Sequence, residues 1–242
     1  MARNSCINKL ILVAIGVALL SIETTGISEG MIGRSQPSIR QADGGTVTDI
    51  DGNVYHTEII GTQVWMVENP RAAHYRDGTA IPCVSDNEEW SSLTTGAFCL
   101  PELDSSACID AYGFLYNFHA VNDSRGLCPE GWHVPTAEEW RTLIDYLGGV
   151  EVAGGKMRET GSGLWRISVP GSISESGFSA IPAGGRGRFG SASDVGYYAT
   201  WWSSTSFDST YAWHWGLYPD RNSIRSNPGH KSSGFSIRCI KD

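Results

Sequence analysis

The chain has 242 residues, with 18 basic and 26 acidic side chains, and a formal net charge of −8 when its six histidines are neutral. A balance this acidic excludes the electrostatic footprint of a nucleic-acid or anionic-membrane binder. It favours solubility and leaves the fold open.

The first element is not part of the fold. Arg3 and Lys9 precede an uncharged apolar run, "LILVAIGVALL" at residues 10–20, and the polar "SIETTG" follows. A basic start, a short apolar run and a small polar exit describe an export signal over residues 1–26. Eleven residues are too few to cross a bilayer, which takes about 20, so the mature chain is expected to carry no transmembrane segment. Cys6 lies before the run rather than after it, which disfavours a lipid anchor on cysteine. Residues 27–45, "ISEGMIGRSQPSIRQADGG", lack apolar periodicity and read as a flexible linker. Residues 46–242 are then one domain, long enough for a real core. Five cysteines lie beyond the signal: Cys83, Cys99, Cys108, Cys128 and Cys239. In an exported protein they read first as disulfides. No CxxC occurs, which weakens zinc-knuckle and thioredoxin-like readings, and the odd number leaves at least one thiol over.

The domain opens with "TVTDIDGNVYHTEIIGTQVWMVEN", two short alternating runs around Asp51-Gly52 and a third after Gly61-Thr62. Asp-Gly tolerates the positive φ of a tight turn, so this is hairpin chemistry. "DIDG" resembles a fragment of a calcium loop, but the later oxygen ligands and closing Glu are missing. Weak helix signals cover "NEEWSSL" and the region from Tyr112 to Val121. One strong signal follows. Thr136 can cap a helix, and Glu139 completes a capping box. Trp140, Leu143, Ile144 and Leu147 form a single buried stripe before Gly148-Gly149 stops it. After Gly161 the chain is rich in Gly, Ser and aromatics, with β-like runs in "GFSAIPAG", "YYATWWSST", "YAWHWGLY" and "GFSIRCI". One or two helices with short antiparallel strands and long loops predict an α+β domain rather than a parallel sheet.

The strings "YGFLYNFHAVNDSRGLCPEGWHVPTAEEWRTLIDYLGG", "AGGKMRET", "ESGFSAIPAGGR", "GYYATWWSST" and "GFSIRCIKD" resemble the Fibrobacter succinogenes major paralogous domain in that family's block order. "VTDIDGNVYHTEIIGTQVWMVENPRAAHYRDGTAIP" resembles its opening. That family is similar to C-type lectin-like domains, and its members look like exported bacterial proteins of largely undetermined role. The resemblance implies a C-type lectin-like fold over residues 46–242. It also implies a bond between a cysteine beside a helix and one on the last strand, here Cys128 and Cys239. Such a bond closes a loop for which chain entropy gives about 4.7 kcal/mol. Spacing alone offers a second, local pair, Cys99 with Cys108, leaving Cys83 as the odd thiol.

Catalytic signatures are sparse. The six histidines (His56, His74, His119, His133, His214 and His230) are scattered, which offers no metal cluster. His133, between Trp132 and Val134, reads as a packing residue bonded to a loop carbonyl. No GxSxG elbow occurs, and "AGGRGRFG" lacks the order of a phosphate loop. The formylglycine-generating oxidases, whose fold is related to C-type lectin-like domains, use cysteine chemistry. Here the final hundred residues hold only Cys239. The EPN, QPD and WND strings of calcium-dependent lectins are absent, so no cofactor is expected. Asp194, Asp208 and Asp220 are candidates for a hydrolase carboxylate pair. The aromatic-rich stretch from Gly196 to His230 carries the palette of a recognition surface, rigid rings with adaptable polar groups. Trp201 and Trp202 read as core. Strand alternation with Trp213 inward puts His214, Tyr218, Arg221, Asn222, Arg225 and Asn227 outward. The expectation is a secreted or surface-held, non-catalytic module that binds a protein or glycan through this face. The alternatives are a carbohydrate-active hydrolase and a purely structural surface component.

Overall fold

The structure, a computed structural model, describes residues 44–101 and 109–242. The expected export signal, nearly all of the linker and Cys108 lie outside these residues. In chain order the strands and helices are Thr46–Thr48 (β1), Val54–Ile60 (β2), Gln63–Met66 (β3), Asn87–Ser91 (α1), Phe98–Cys99 (β4), Ile109–Tyr112 (α2), Leu115–Asn117 (β5), Phe118–Val121 (α3) and Trp132–His133 (β6). They continue as Ala137–Tyr146 (α4), Ala153–Met157 (α5), Gly185–Arg186 (β7), Ala192–Ser193 (β8), Ala199–Ser206 (β9), Tyr211–Leu217 (β10), Ile224–His230 (β11), Gly234–Phe235 (β12) and Ile240–Lys241 (β13). The strands build three antiparallel sheets with orders β1-β2-β3-β13-β6, β11-β10-β9 and β4-β5-β12-β7-β8. The architecture is α+β, with short helices between sheets.

The opening hairpins form where the sequence places them. Asp49 Oδ1 accepts the amides of Asp51 and Asn53 at 3.0 and 2.9 Å, and its Oδ2 accepts the Tyr55 hydroxyl at 2.7 Å. Asp51 takes the amides of Ala73 and His74 and the His74 ring. The oxygens of "DIDG" therefore hold a turn and a neighbouring loop. Among the described residues no group of three or more His, Cys, Asp and Glu is placed to hold a metal ion.

Helix α4 carries the capping box read from the sequence, with Thr136 and Glu139 bonded reciprocally. Its buried Trp140 lies 5.0 Å from Trp65, 5.8 Å from Phe178, 6.0 Å from Trp201 and 6.3 Å from Trp215, between ring centres. Trp201 and Trp202 are both fully buried. As strand neighbours they point to opposite faces of the β9-β10-β11 sheet. Trp201 packs in the cluster around α4, and Trp202 in the cluster with Tyr116, Phe118 and the Cys128 and Cys239 side chains. This part of the sheet is thus covered on both sides.

Strand β11, "IRSNPGH", has no alternating apolar pattern and is not readable as a strand from sequence. It forms because it is an edge strand, paired only with β10 from Tyr211↔His230 to Leu217↔Ile224. Pro228 is tolerated there since an edge needs no donor on its outer side. "GFSAIPAG" in contrast contributes only isolated bridges, Arg158↔Ala180 and Gly184↔Ala199.

Three buried arginines order the loops. Arg238 donates to the carbonyls of Met66, Phe178 and Ser179 and to the Asn69 side-chain oxygen, at 2.6 to 3.2 Å. Its guanidinium lies 4.4 Å from the Phe178 ring. Arg186 collects the carbonyls of Gly190, Val84, Ser85 and Asp86. Arg158 holds those of Tyr218 and Arg221. Irregular backbone cannot satisfy its own carbonyls, and a guanidinium with five N–H groups answers several at once.

Cys128 and Cys239 are bonded, with Cα atoms 6.0 Å apart and 111 residues between them in sequence. The Cys99 assignment is corrected. Cys99 is a buried thiol, and Cys83 is the disulfide-bonded residue. The two lie on neighbouring strands, since Cys83 bridges Phe98. Cys99 packs in the cluster around Trp90 and Leu115. His133 is also corrected. It bonds two carboxylates rather than a carbonyl, Nδ1 to Asp242 at 2.6 Å and Nε2 to Glu139 at 2.9 Å.

Two outcomes follow for stability. Cys128→Ser with Cys239→Ser should lower the unfolding free energy by about 2–5 kcal/mol in urea titrations. Burial opposes protonation of His133, but its bonds to Asp242 and Glu139 outweigh burial and raise its pKa. Its contribution is therefore complete below about pH 6.5 and fades as pH rises through the raised value. Exposed pairs of this kind are worth under about 1 kcal/mol. His133→Gln should flatten the melting temperature between about pH 6 and 9 by a few degrees, read by thermal denaturation.

Candidate functional site

The six residues expected on the C-terminal face separate into two groups. Tyr218, Arg221 and Arg225 lie at one end of the β9-β10-β11 sheet, and Asn227, paired with His214 farther along the strands, reaches the Tyr218 hydroxyl, whereas His214 and Asn222 are half-buried against neighbouring segments.

His214 corrects the predicted alternation. Its ring lies 4.7 Å from Phe235 and 6.0 Å from Trp202, on the covered part of the sheet. Gly229, diagonally across on β11 and paired with Ala212, leaves room for the ring, because a Cβ there would come within 2.8 Å of His214 Nδ1. Trp213 and His214 are both half-buried, Trp213 against Phe207 at the hairpin end, with ring centres 5.1 Å apart. The pairing with β9 also shifts register between Ala212 and His214. Alternation could not assign inside and outside where both faces are covered. Burial pushes the His214 pKa down to about 4.

Asn222 is structural. Its Oδ1 accepts from Ser172 at 3.1 Å and its Nδ2 donates to the Pro170 carbonyl at 2.9 Å. Its backbone carbonyl accepts the Gly155 amide, and a Cβ on Gly155 would come within 2.7 Å of the Asn222 side chain. The glycines of "AGGKM" thus let α5 approach the β10–β11 turn closely.

The remaining residues form a shallow aromatic and cationic cluster. Tyr198 and Tyr218 meet edge to face with ring centres 5.7 Å apart. The Arg221 guanidinium lies 5.5 Å from the Tyr218 ring and forks onto Asp220 at 2.8 and 2.9 Å. Asn227 Nδ2 donates to the Tyr218 hydroxyl at 3.3 Å. Arg225 pairs with Glu151 at 2.9 Å, and Arg166 lies 5.7 Å from the exposed Tyr197 ring. Gly216 on β10, paired with Thr200 and Arg225, is buried, and a Cβ there would meet only Ala199 O at 3.7 Å. Arg158, buried beneath on the Trp165 ring at 3.7 Å, fixes the turn by its bonds to Tyr218 and Arg221. Tyr197, Tyr198, Arg166 and Arg158 were not on the list read from the sequence. The signal for the tyrosines was present in "GYYATWW", whose first two rings precede the buried tryptophans. The arginines come from distant segments and gave none.

The hydrolase candidates do not converge as a set. Asp208 caps the β9–β10 turn by accepting the amides of Thr210 and Tyr211 at 2.7 Å. Asp220 sits at the opposite end of β10, held by Arg221. That strand alone spans roughly 20 Å at 3.4 Å per residue, beyond the 5 to 10 Å of a glycosidase pair. Asp194 is exposed, in the left-handed region with φ 72°.

His214→Ala should lower stability by about 2–3 kcal/mol, while Arg225→Ala should change it by less than about 0.5 kcal/mol. Since the folded pKa of His214 lies below the unfolded one, its neutral form contributes fully above about pH 6.5. That contribution is lost as pH falls toward 4. Urea titrations at about pH 7.5 and 4.5 check both, with the acid-side loss reduced in His214→Asn.

No helix among the described residues is long and apolar enough to cross a membrane. Neither the curated proteins nor the solved structures contain a match to the chain. The family model of the Fibrobacter succinogenes major domain matches residues 59–241. Its span takes in β3 to β13, the capped helix and the Cys128–Cys239 bond described above, and the chain belongs to that family.

Proposed function

We propose that this domain is an exported, non-catalytic recognition module of C-type lectin-like architecture, which binds a protein or glycan at the uncovered end of the β9-β10-β11 sheet. The observation that carries this reading is the Tyr198, Tyr218, Arg221 and Asn227 cluster. Tyrosine supplies rigid, amphipathic contact area at low entropic cost, arginine supplies a hot-spot cation, and the asparagine amide adds adaptable hydrogen bonding. A ring face beside an amide and a guanidinium fork also suits sugar rings, which present C–H patches and hydroxyls together. The cluster is preorganised, because Arg158 fixes the Tyr218–Arg221 turn from below.

The test is retention on glycan arrays and cell-surface protein extracts, comparing the native chain with the triple variant Tyr218→Ala, Arg221→Ala, Asn227→Ala. The variant should melt within about 3 °C of the native chain, since these side chains are surface groups. It should lose at least about tenfold in retained signal, the effect of removing more than one hot-spot contact. Equal retention by both would remove this face and favour a structural surface component. Turnover of an arrayed glycan would replace the reading with a hydrolase.

A further inference from the structure

A second concavity lies at the other end of β10. It is a polar cleft of about 680 Å³, walled by α3 with the Asn122–Arg125 segment, the loops at residues 75–82 and 94–96, the β9–β10 turn and Lys231. Its size falls within the range of small-ligand sites. The walls meet only in the folded chain.

Its chemistry is specific. Lys231 Nζ donates to the Asp208 carbonyl at 2.8 Å and lies 5.3 Å from the Phe118 ring. An ammonium has three donors, so this bond leaves others to face the cleft. Arg125 forks onto Asp123 at 2.8 and 2.7 Å and stacks 4.1 Å from the Tyr75 ring. That pairing holds the Asp123 carboxyl at about 2 and keeps it ionised. His119 lines the wall with its pKa lowered by burial, Lys231 and His230, so it is uncharged at neutral pH. The lining thus carries two cations against one carboxylate, in a chain whose net charge is −8. Thr94, Thr95, Ser124 and Ser209 also line the cleft, and the buried Tyr75 and Phe118 rings support Arg125 and Lys231 from beneath.

A bare inorganic anion would leave this volume unfilled and the hydroxyls unused. A neutral sugar would leave the Lys231 charge, bonded to a carbonyl alone, without a counter-charge. We infer that the cleft binds a short acidic saccharide, with a carboxylate at Lys231 and hydroxyls on the Thr94–Thr95 and Ser209 walls. This site is separate from the sheet-end cluster, roughly 20 Å away along β10.

The test is calorimetry on the native chain with trigalacturonate and with its methyl ester, which keeps the ring shapes and removes the charge. Trigalacturonate should bind and the ester should bind at least about tenfold more weakly. Rising salt should weaken the acid form, as exposed charge contacts are screened. Lys231→Met should weaken trigalacturonate about tenfold, and Ser209→Trp, an exposed turn position that fills the cleft, should abolish binding. Near-UV circular dichroism confirms that both variants are folded. The triple variant Tyr218→Ala, Arg221→Ala, Asn227→Ala should bind trigalacturonate like the native chain, which separates this site from the sheet end. No binding of trigalacturonate, equal binding of the ester, binding that survives Ser209→Trp, or loss of binding in the triple variant would each overturn the assignment.

Discussion

Arg238 carries a full positive charge into the centre of the domain, and much of the surrounding chain is arranged to answer it. Its side chain is entirely buried, and burial lowers its pKa, yet a guanidinium remains charged at neutral pH. A charge taken out of water needs several well-placed partners. Met66 supplies one from the end of β3, Phe178 and Ser179 supply two from a long loop, and Asn69 supplies its side-chain oxygen. Asn69 in turn accepts the Trp201 indole N–H at 2.9 Å and donates to the Tyr112 carbonyl at 2.9 Å and to Ser236. One guanidinium and one amide therefore fix the relative placement of β3, β9, the residue-178 loop and the segment leading to β13. The neighbouring Cys239 adds a covalent tie to Cys128 at the same place.

This solution explains how a domain with little regular structure is ordered. Loops expose carbonyls that no helix or ladder pairs, and here long cationic side chains meet them from inside. Arg186 does so for the stretch from Val84 to Asp86, with its charge over the Trp90 ring at 4.5 Å. Arg158 does so for the turn that carries Tyr218 and Arg221. The consequence for recognition is direct. The loops are displayed, but they are not loose, so surface rings and charges are held in place before any ligand arrives.

The β9-β10-β11 sheet shows how one element serves packing and display at once. At the Trp201 and Trp202 level it is covered on both faces, and His214 is part of that covering. Toward Tyr198 and Tyr218 the rings are half-buried and Arg225 is exposed. At the opposite end the β9–β10 turn and Lys231 border a cleft.

Local sequence determined what local physics controls. The capping box and apolar stripe of α4, the opening hairpins at Asp51-Gly52 and Gly61-Thr62, and the α+β class all depend on residues within a few positions of one another. The pairing of Cys128 with Cys239 was legible only through likeness to a family, because spacing constrains no bond across 111 residues. The folded chain alone decided which cysteine near residue 90 bonds, that His133 bridges two carboxylates, and that His214 faces inward. It also decided that "IRSNPGH" is a strand. These depend on which segments arrive beside them: a period of two assigns faces only when one face is wet, and an edge strand needs a partner rather than a pattern. The sheet-end cluster and the cleft belong to the same class, since each is assembled from side chains far apart in sequence whose only common cause is the packing of the loops around the buried arginines.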